Sequence, residues 1–254
     1  MAMSDIQPAI PAATLVIFRD RADGPPDLLM VERAKALAFA GGALVFPGGR
    51  VDPGDRALAD LLGGDPDDTA ARIAAVRETI EEAGLPIGLD PLPAPAALAD
   101  LRAALHGGAR FATALAAAGT QLALDRLVPF ARWLPQHVGM RIFDTRFYLA
   151  RLPADAPAAT VDRTENVRLL WATAAEVLAD ADAGRATIIY PTRRNLERLA
   201  QFDAFEAAAA QARAIPVTTI TPFEATRGGR PHLCIPEGLG YPVTAEPMGA
   251  VRRH

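Results

Sequence analysis

An α/β or α+β fold in a single domain is what the sequence predicts, on three observations. Short apolar runs bounded by turn residues alternate with helix-like segments in one continuous pattern. There is no internal repeat. The length of 254 residues suits one domain carrying insertions, here taken as residues 1–254.

The elements follow in order. Residues 13–19 (Ala-Thr-Leu-Val-Ile-Phe-Arg) and 27–33 (Asp-Leu-Leu-Met-Val-Glu-Arg) read as two strands, joined by a turn at Asp23-Gly24-Pro25-Pro26. Residues 43–46 form a third strand, stopped by Pro47-Gly48-Gly49. Asp65-Pro66-Asp67-Asp68 is a helix start, with Asp65 as N-cap, Pro66 at the first helical position and acids in the first turn. Ile73, Val76 and Ile80 give that helix an apolar stripe, and Gly84 suits its C-terminal end. Residues 90–120 read as a Pro-punctuated loop and then helices over Ala96–His106 and Ala109–Ala118. Strands are expected at 127–134, 143–152 and 166–172, and a short helix at Ala174–Ala181. Leu196, Leu199, Phe202 and Phe205 recur at helical spacing and predict one long helix over Thr192–Arg213. Residues 214–254 are rich in Pro and Gly and read as an extension of loops and short strands. Trp133 and Trp171 are expected in the core, and His106, His137, His232 and His254 show no ligand spacing.

Composition narrows the class of function. Half of the residues are hydrophobic and 22% are charged, as in soluble globular proteins. A net charge of −4 gives no reason to expect nucleic acid or a membrane surface as partner. Cys234 is the only cysteine, which excludes an internal disulfide and a thiolate metal cage. No run approaches a membrane span, and residues 1–13 lack the basic and apolar regions of a signal peptide, so the cytoplasm is the expected compartment.

The residues with the most chemistry lie at 74–85, Ala-Ala-Val-Arg-Glu-Thr-Ile-Glu-Glu-Ala-Gly-Leu. A helix stacks Glu78, Glu81 and Glu82 on one face, since they stand at i, i+3 and i+4. Like charges so placed destabilise a bare helix by roughly 0.2–0.5 kcal/mol per pair. A hard divalent cation reverses that sign, because carboxylate oxygens are its preferred donors. The spacing therefore suggests a metal site, with a solvated helix face as the plain alternative.

Together with Gly49, residues 77–85 resemble the signature of the Nudix hydrolases, Gly-x5-Glu-x7-Arg-Glu-U-x-Glu-Glu-x-Gly-U, where U is bulky and apolar. Gly49, Arg77, Glu78, Glu81, Glu82, Gly84 and Leu85 match. Thr79 stands at a U position, and Asp55 stands where the family has its first Glu. Between Asp55 and Arg77 lie 21 residues instead of seven, which places an insert at 56–68. An insert there is a mark of a branch that includes coenzyme A diphosphatases. Arg33, Ala34, Gly42, Phe46, Pro47, Gly48 and Gly49 fit part of the coenzyme A signature of that branch, whereas Val31 and Ala38 depart from it.

The resemblance implies an α/β/α sandwich with a mixed central sheet, plus a helical insertion at about 90–120. It implies hydrolysis of a pyrophosphate bond in a nucleoside diphosphate linked to another moiety, with Mg²⁺ or Mn²⁺. Glu78, Glu81 and Glu82 are then the metal ligands, aided by the Gly49 backbone, and Glu78, Glu81, Glu82 and Arg77 form the catalytic set. Arg77 stands four residues before Glu81 and can hold its carboxylate. Gly48 and Gly49 let the backbone approach metal or phosphate, since they have no Cβ. Phe46, Gly48, Arg33, Arg141 and Arg146 are expected on the substrate side. The arginines can grip phosphate in bidentate fashion or form structural ion pairs. Asp55 and Glu165 complete the candidates, Glu165 as a loop glutamate of the kind the family uses in catalysis. The substrate is coenzyme A or acyl-coenzyme A, or instead ADP-ribose, a dinucleotide or a nucleotide sugar. A nucleotide-sensing module without turnover and a homodimer are further readings.

Overall fold

The computed structural model describes residues 8–36, 40–135, 142–162 and 166–251. In chain order the elements are β1 (Ile10–Arg19), β2 (Asp27–Arg33), β3 (Leu44–Val45), β4 (Gly48–Arg50), α1 (Pro53–Leu62), α2 (Pro66–Ala83), β5 (Leu89–Asp90), α3 (Pro95–His106), α4 (Phe111–Ala117) and β6 (Gln121–Leu122). They continue with β7 (Val128–Trp133), β8 (Phe143–Arg151), β9 (Asn166–Ala172), α5 (Ala174–Asp182), α6 (Tyr190–Leu199), α7 (Phe205–Ala214), β10 (Thr219–Ile220), β11 (Phe223–Arg227), β12 (Arg230–Cys234), β13 (Ala245–Pro247) and α8 (Met248–Val251).

Eight strands form a mixed central sheet with β1 at its heart. β1 runs parallel to β8 along nearly its whole length, from Ile10↔Phe143 to Phe18↔Arg151. Its other edge pairs antiparallel with β4 at the start (Ala13↔Gly49) and with β2 at the end (Arg19↔Asp27). The run Leu15-Val16-Ile17-Phe18 is almost wholly buried, as expected of a strand covered on both faces. Leu15, Ile17 and Leu29 point into a core shared with α2, α3 and α4. Val16, Phe18, Leu28 and Met30 point into a second core shared with α5, α6 and α7. This alternation makes the α/β/α sandwich.

Helix α2 begins where its sequence signals it. The Asp65 side chain accepts a hydrogen bond from the Asp68 N–H at 2.7 Å, and Pro66 takes the first helical position. It ends on Gly84 at φ 66°, a left-handed conformation that suits glycine. Ile73, Val76 and Ile80 are fully buried. Thr79 is buried too, and its hydroxyl is satisfied by the Ala75 carbonyl at 2.8 Å. That bond lets a hydroxyl side chain occupy an apolar position.

The insert has structure of its own, and one expectation is corrected. The segment at 56–68 carries helix α1, with Pro53 in its first turn, a turn through Gly63 and Gly64, and then the start of α2. The long helix expected over Thr192–Arg213 is two helices, α6 and α7, broken around Gln201–Ala204. The break lets Leu196 and Leu199 on one helix, and Ala208 and Ala212 on the other, enter one core. It also lets Phe205 pack edge-on against Phe18 with ring centroids 5.4 Å apart. Burial decides this against local helical periodicity. Pro47-Gly48-Gly49 does end β3, which covers Leu44–Val45, and Gly48–Arg50 then forms the separate short strand β4 against β1. Trp133 is buried in the second core, and Trp171 packs against the first beneath the Arg19 guanidinium. His137 and His254 lie outside the described residues.

Candidate active site

The acidic face of α2 is organised by Arg77. Every donor nitrogen of its fork has an acceptor. Nε and Nη2 grip both oxygens of Asp55 at 3.0 and 2.9 Å, and Nη2 also donates to the Arg50 carbonyl at 2.9 Å. Nη1 donates to Glu78 Oε1 at 2.9 Å and reaches Glu81 at 3.3–3.4 Å. Asp55 is only 1% exposed, and its Oδ2 also accepts the Asp52 N–H at 2.9 Å. Burial pushes the Arg77 pKa down, but Asp55, Glu78 and Glu81 outweigh it and hold the guanidinium well above its ordinary range. It is a permanent cation.

The three glutamates are all pushed toward protonation. Burial raises Glu78 to about 8 against the pull of Arg77, and the like charges of Glu82 and Glu81 add to the rise. Burial likewise raises Glu81, with Arg77 opposing. Glu82 is raised to about 7 by burial, opposed by hydrogen bonds from Asn166 and Gly48.

Strand β4 presses against it. A Cβ at Gly49 would collide with the Glu78 carboxylate. A Cβ at Gly48, whose φ is 156°, would collide with the Ala13 carbonyl and Thr14 of β1. The Gly48 N–H donates to Glu82 Oε2 at 2.9 Å, and Asn166 Nδ2 donates to Glu82 Oε1 at 2.9 Å. The last turn of α2 is held from outside as well. Arg102 of α3 donates to the Glu81 and Glu82 carbonyls at 2.9 and 3.2 Å, and to Thr160 Oγ1 at 2.7 Å. His106 Nε2 lies 3.1 Å from the Glu81 carbonyl.

The fold therefore gathers Arg77, Glu78, Glu81, Glu82, Gly48, Gly49 and Asp55. Asp55 stands behind Arg77 with both oxygens engaged there. Arg33, at the end of β2, lies close enough for its charge to favour ionised Glu82. One substrate-side expectation is not met. Phe46, between β3 and β4, is 2% exposed and packs in the second core. Arg146 faces Asp68 at 3.5 Å, in the first turn of α2, and its backbone pairs with Ala13, which pairs in turn with Gly49. Asp144, its neighbour, pairs with Arg132 at 2.6 and 2.8 Å. Arg141 and Glu165 lie outside the described residues. Asn166 and Arg102 were not foreseen. The only sign of Asn166 is an amide at the head of an otherwise apolar run, and nothing in the sequence marks Arg102.

A Nudix hydrolase of Alicyclobacillus acidocaldarius has a similar structure, with a TM-score of 0.67 and 30% identity, over 81% of this chain and 97% of that one. The chain belongs to the Nudix hydrolase family. A candidate Nudix hydrolase of Caenorhabditis elegans, number 7, is 28% identical over 174 residues. That match covers 68% of this chain, which spans 56% of the length of that relative. No protein-family model matches the chain.

Nudix hydrolases generally use divalent metals. Among the described residues no three acidic, histidine or cysteine side chains converge as a ready cation cage, because Arg77 and the Gly48–Asn166 pair occupy the carboxylate oxygens. The donor set nevertheless fits the group. Each carboxylate keeps unused lone pairs, and oxygen is the donor a hard cation takes.

Proposed function

We propose that this Nudix hydrolase cleaves the pyrophosphate bond of a nucleoside diphosphate joined to another group, with Mg²⁺ or Mn²⁺ held by Glu78, Glu81 and Glu82. The observation that supports this most is the Arg77 fork, which ties two of those glutamates to one buried cation braced by Asp55. When bound, the metal supplies neutralisation of phosphate oxygens and acidifies a water in its shell. The chain itself does the positioning. Arg77 keeps Glu78 and Glu81 aligned, and Gly48 fixes one oxygen of Glu82. Gly49, lacking a Cβ, lets the backbone approach the site. Arg33 supplies positive charge beside Glu82 for a phosphate oxygen. Residues 1–254 act as one domain, with the 56–68 insert, the 90–120 helical insertion and the 214–254 extension as its additions.

Coenzyme A or acyl-coenzyme A is the substrate class favoured by the residues from Arg33 to Gly49 and by the insert. ADP-ribose, a dinucleotide or a nucleotide sugar is the second reading, favoured by Val31 and Ala38, which break the coenzyme A pattern. A panel of these compounds with Mg²⁺ or Mn²⁺, products resolved by chromatography, separates them. Release of 4′-phosphopantetheine and 3′,5′-ADP from coenzyme A supports the first. Binding without turnover of any compound would mark a nucleotide sensor instead. Glu82→Gln is expected to lose orders of magnitude in turnover with its circular dichroism unchanged, and normal turnover in that variant would sink the metal assignment.

A further inference from the structure

We propose that Asn166 is a positioning residue for Glu82: its side-chain amide sets the orientation of that carboxylate and so tunes the affinity of the site for its divalent cation. The inference rests on the reading of Glu82 as a metal ligand.

Asn166 opens β9 and is fully buried. Its Nδ2 donates to Glu82 Oε1 at 2.9 Å, while the Gly48 N–H takes the other oxygen at the same distance. The two donors come from different strands, so the carboxylate plane is fixed between them. The backbone of Asn166 is held in turn, since its N–H donates to Asp162 Oδ1 at 3.2 Å. On the sheet it is the register partner of Arg33, beside an irregularity in the β2–β9 ladder between Glu32 and Arg33. The arginine whose charge favours ionised Glu82 and the amide that binds it therefore share one rung.

The chemistry of the amide points the same way. Asn166 Oδ1 has no hydrogen-bond partner among the described residues. Turning the amide over would set that oxygen against Glu82 Oε1, acceptor against acceptor, so the nitrogen belongs toward the glutamate. A buried acceptor left unpaired lowers stability, and an apolar β-former would fill the head of a strand without that penalty. The contact that repays it is the one to Glu82. Partners that orient a ligating side chain typically alter metal affinity about 10–100-fold when removed.

The test uses the full chain and Mn²⁺ as probe. Mn²⁺ binding is titrated without substrate, by the spin-resonance signal of the free ion, in wild type, Asn166→Ala, Asn166→Asp and Glu82→Gln. Asn166→Asp keeps the shape but puts an acceptor where the donor was. Both Asn166 variants are expected to bind Mn²⁺ about 10–100-fold more weakly and to lose kcat far more than KM changes. If Asn166→Asp binds Mn²⁺ like wild type while Glu82→Gln binds it weakly, the role of Asn166 is refuted and the metal reading stands. If Glu82→Gln binds Mn²⁺ like wild type, both fall. A measurement on the unmodified chain covers the case of variants that do not fold. The side-chain amide resonances of Asn166 are expected to shift on addition of Mg²⁺, and unmoved resonances would overturn the proposal.

Discussion

Arg77 is a buried cation surrounded by anions, and its worth depends on keeping both sides of that balance. Arg77→Ala leaves Asp55 charged, 1% exposed and without its partner, and urea unfolding is expected to show a loss of about 3–5 kcal/mol. Arg77→Lys keeps the charge but loses the two-pronged grip on Asp55. Its stability is expected to fall less, while turnover drops about 10²-fold from misplacement of Glu78 and Glu81. A turnover equal to wild type would refute the positioning role of the fork. The acids also set a pH dependence. Glu78 at about 8 and Glu82 at about 7 are raised above their ordinary value of 4.5. In the folded metal-free chain they hold protons that the unfolded chain releases. Their contribution is complete below about pH 4.5 and is lost as pH rises through 7 to 8. Urea titrations across that window are expected to show falling stability in metal-free protein, with a shallower fall in Glu78→Gln.

At the level of elements, α2 is a helix whose ends are set locally and whose charged face is tolerated only through tertiary contacts. Removing the cap by Asp65→Ala is expected to cost about 0.5–2 kcal/mol. Turnover per folded molecule should hardly change, because the cap is four helical turns from the glutamates; a large loss of turnover would show that the helix start is coupled to the site. Strand β4 behaves in the opposite way. Gly49→Ala drives a Cβ into the Glu78 carboxylate, so turnover is expected to collapse with only modest loss of stability. Wild-type turnover in Gly49→Ala would mean that Glu78 can leave this strand freely. Helices α6 and α7 show how the sheet overrides periodicity. Their shared pattern of Leu and Phe reads as one helix, yet two shorter helices cover the sheet better.

For the whole molecule, the helical insertion is part of the core. Leu98, Leu101 and Leu105 of α3 and Phe111 and Leu115 of α4 join the cluster built by α2 and β1. Leu101→Ala is therefore expected to lower global stability by about 2–5 kcal/mol, and a loss below 1 kcal/mol in urea unfolding would contradict an integral role. Arg102 links the same insertion to the last turn of α2. Much of this was legible in the chain. The buried double-faced strand, the Asp65-Pro66 start, the Gly84 stop and the acidic face are local or periodic features, and each lies where its pattern says. They point to an α/β or α+β fold and to three carboxylates on one helix face, while the sandwich was implied by the family resemblance. What each acid touches was not legible, since those contacts join residues far apart in sequence: Asp55 to Arg77, Gly48 and Asn166 to Glu82, Arg102 to the carbonyls of α2. Phe46 belongs to the same segment as Gly48 and Gly49, but it is turned into the second core. Spacing along a strand or helix determines which face a side chain takes. Only the packing of separate segments decides what that face meets, because burial and hydrogen bonding are settled between elements and not within them.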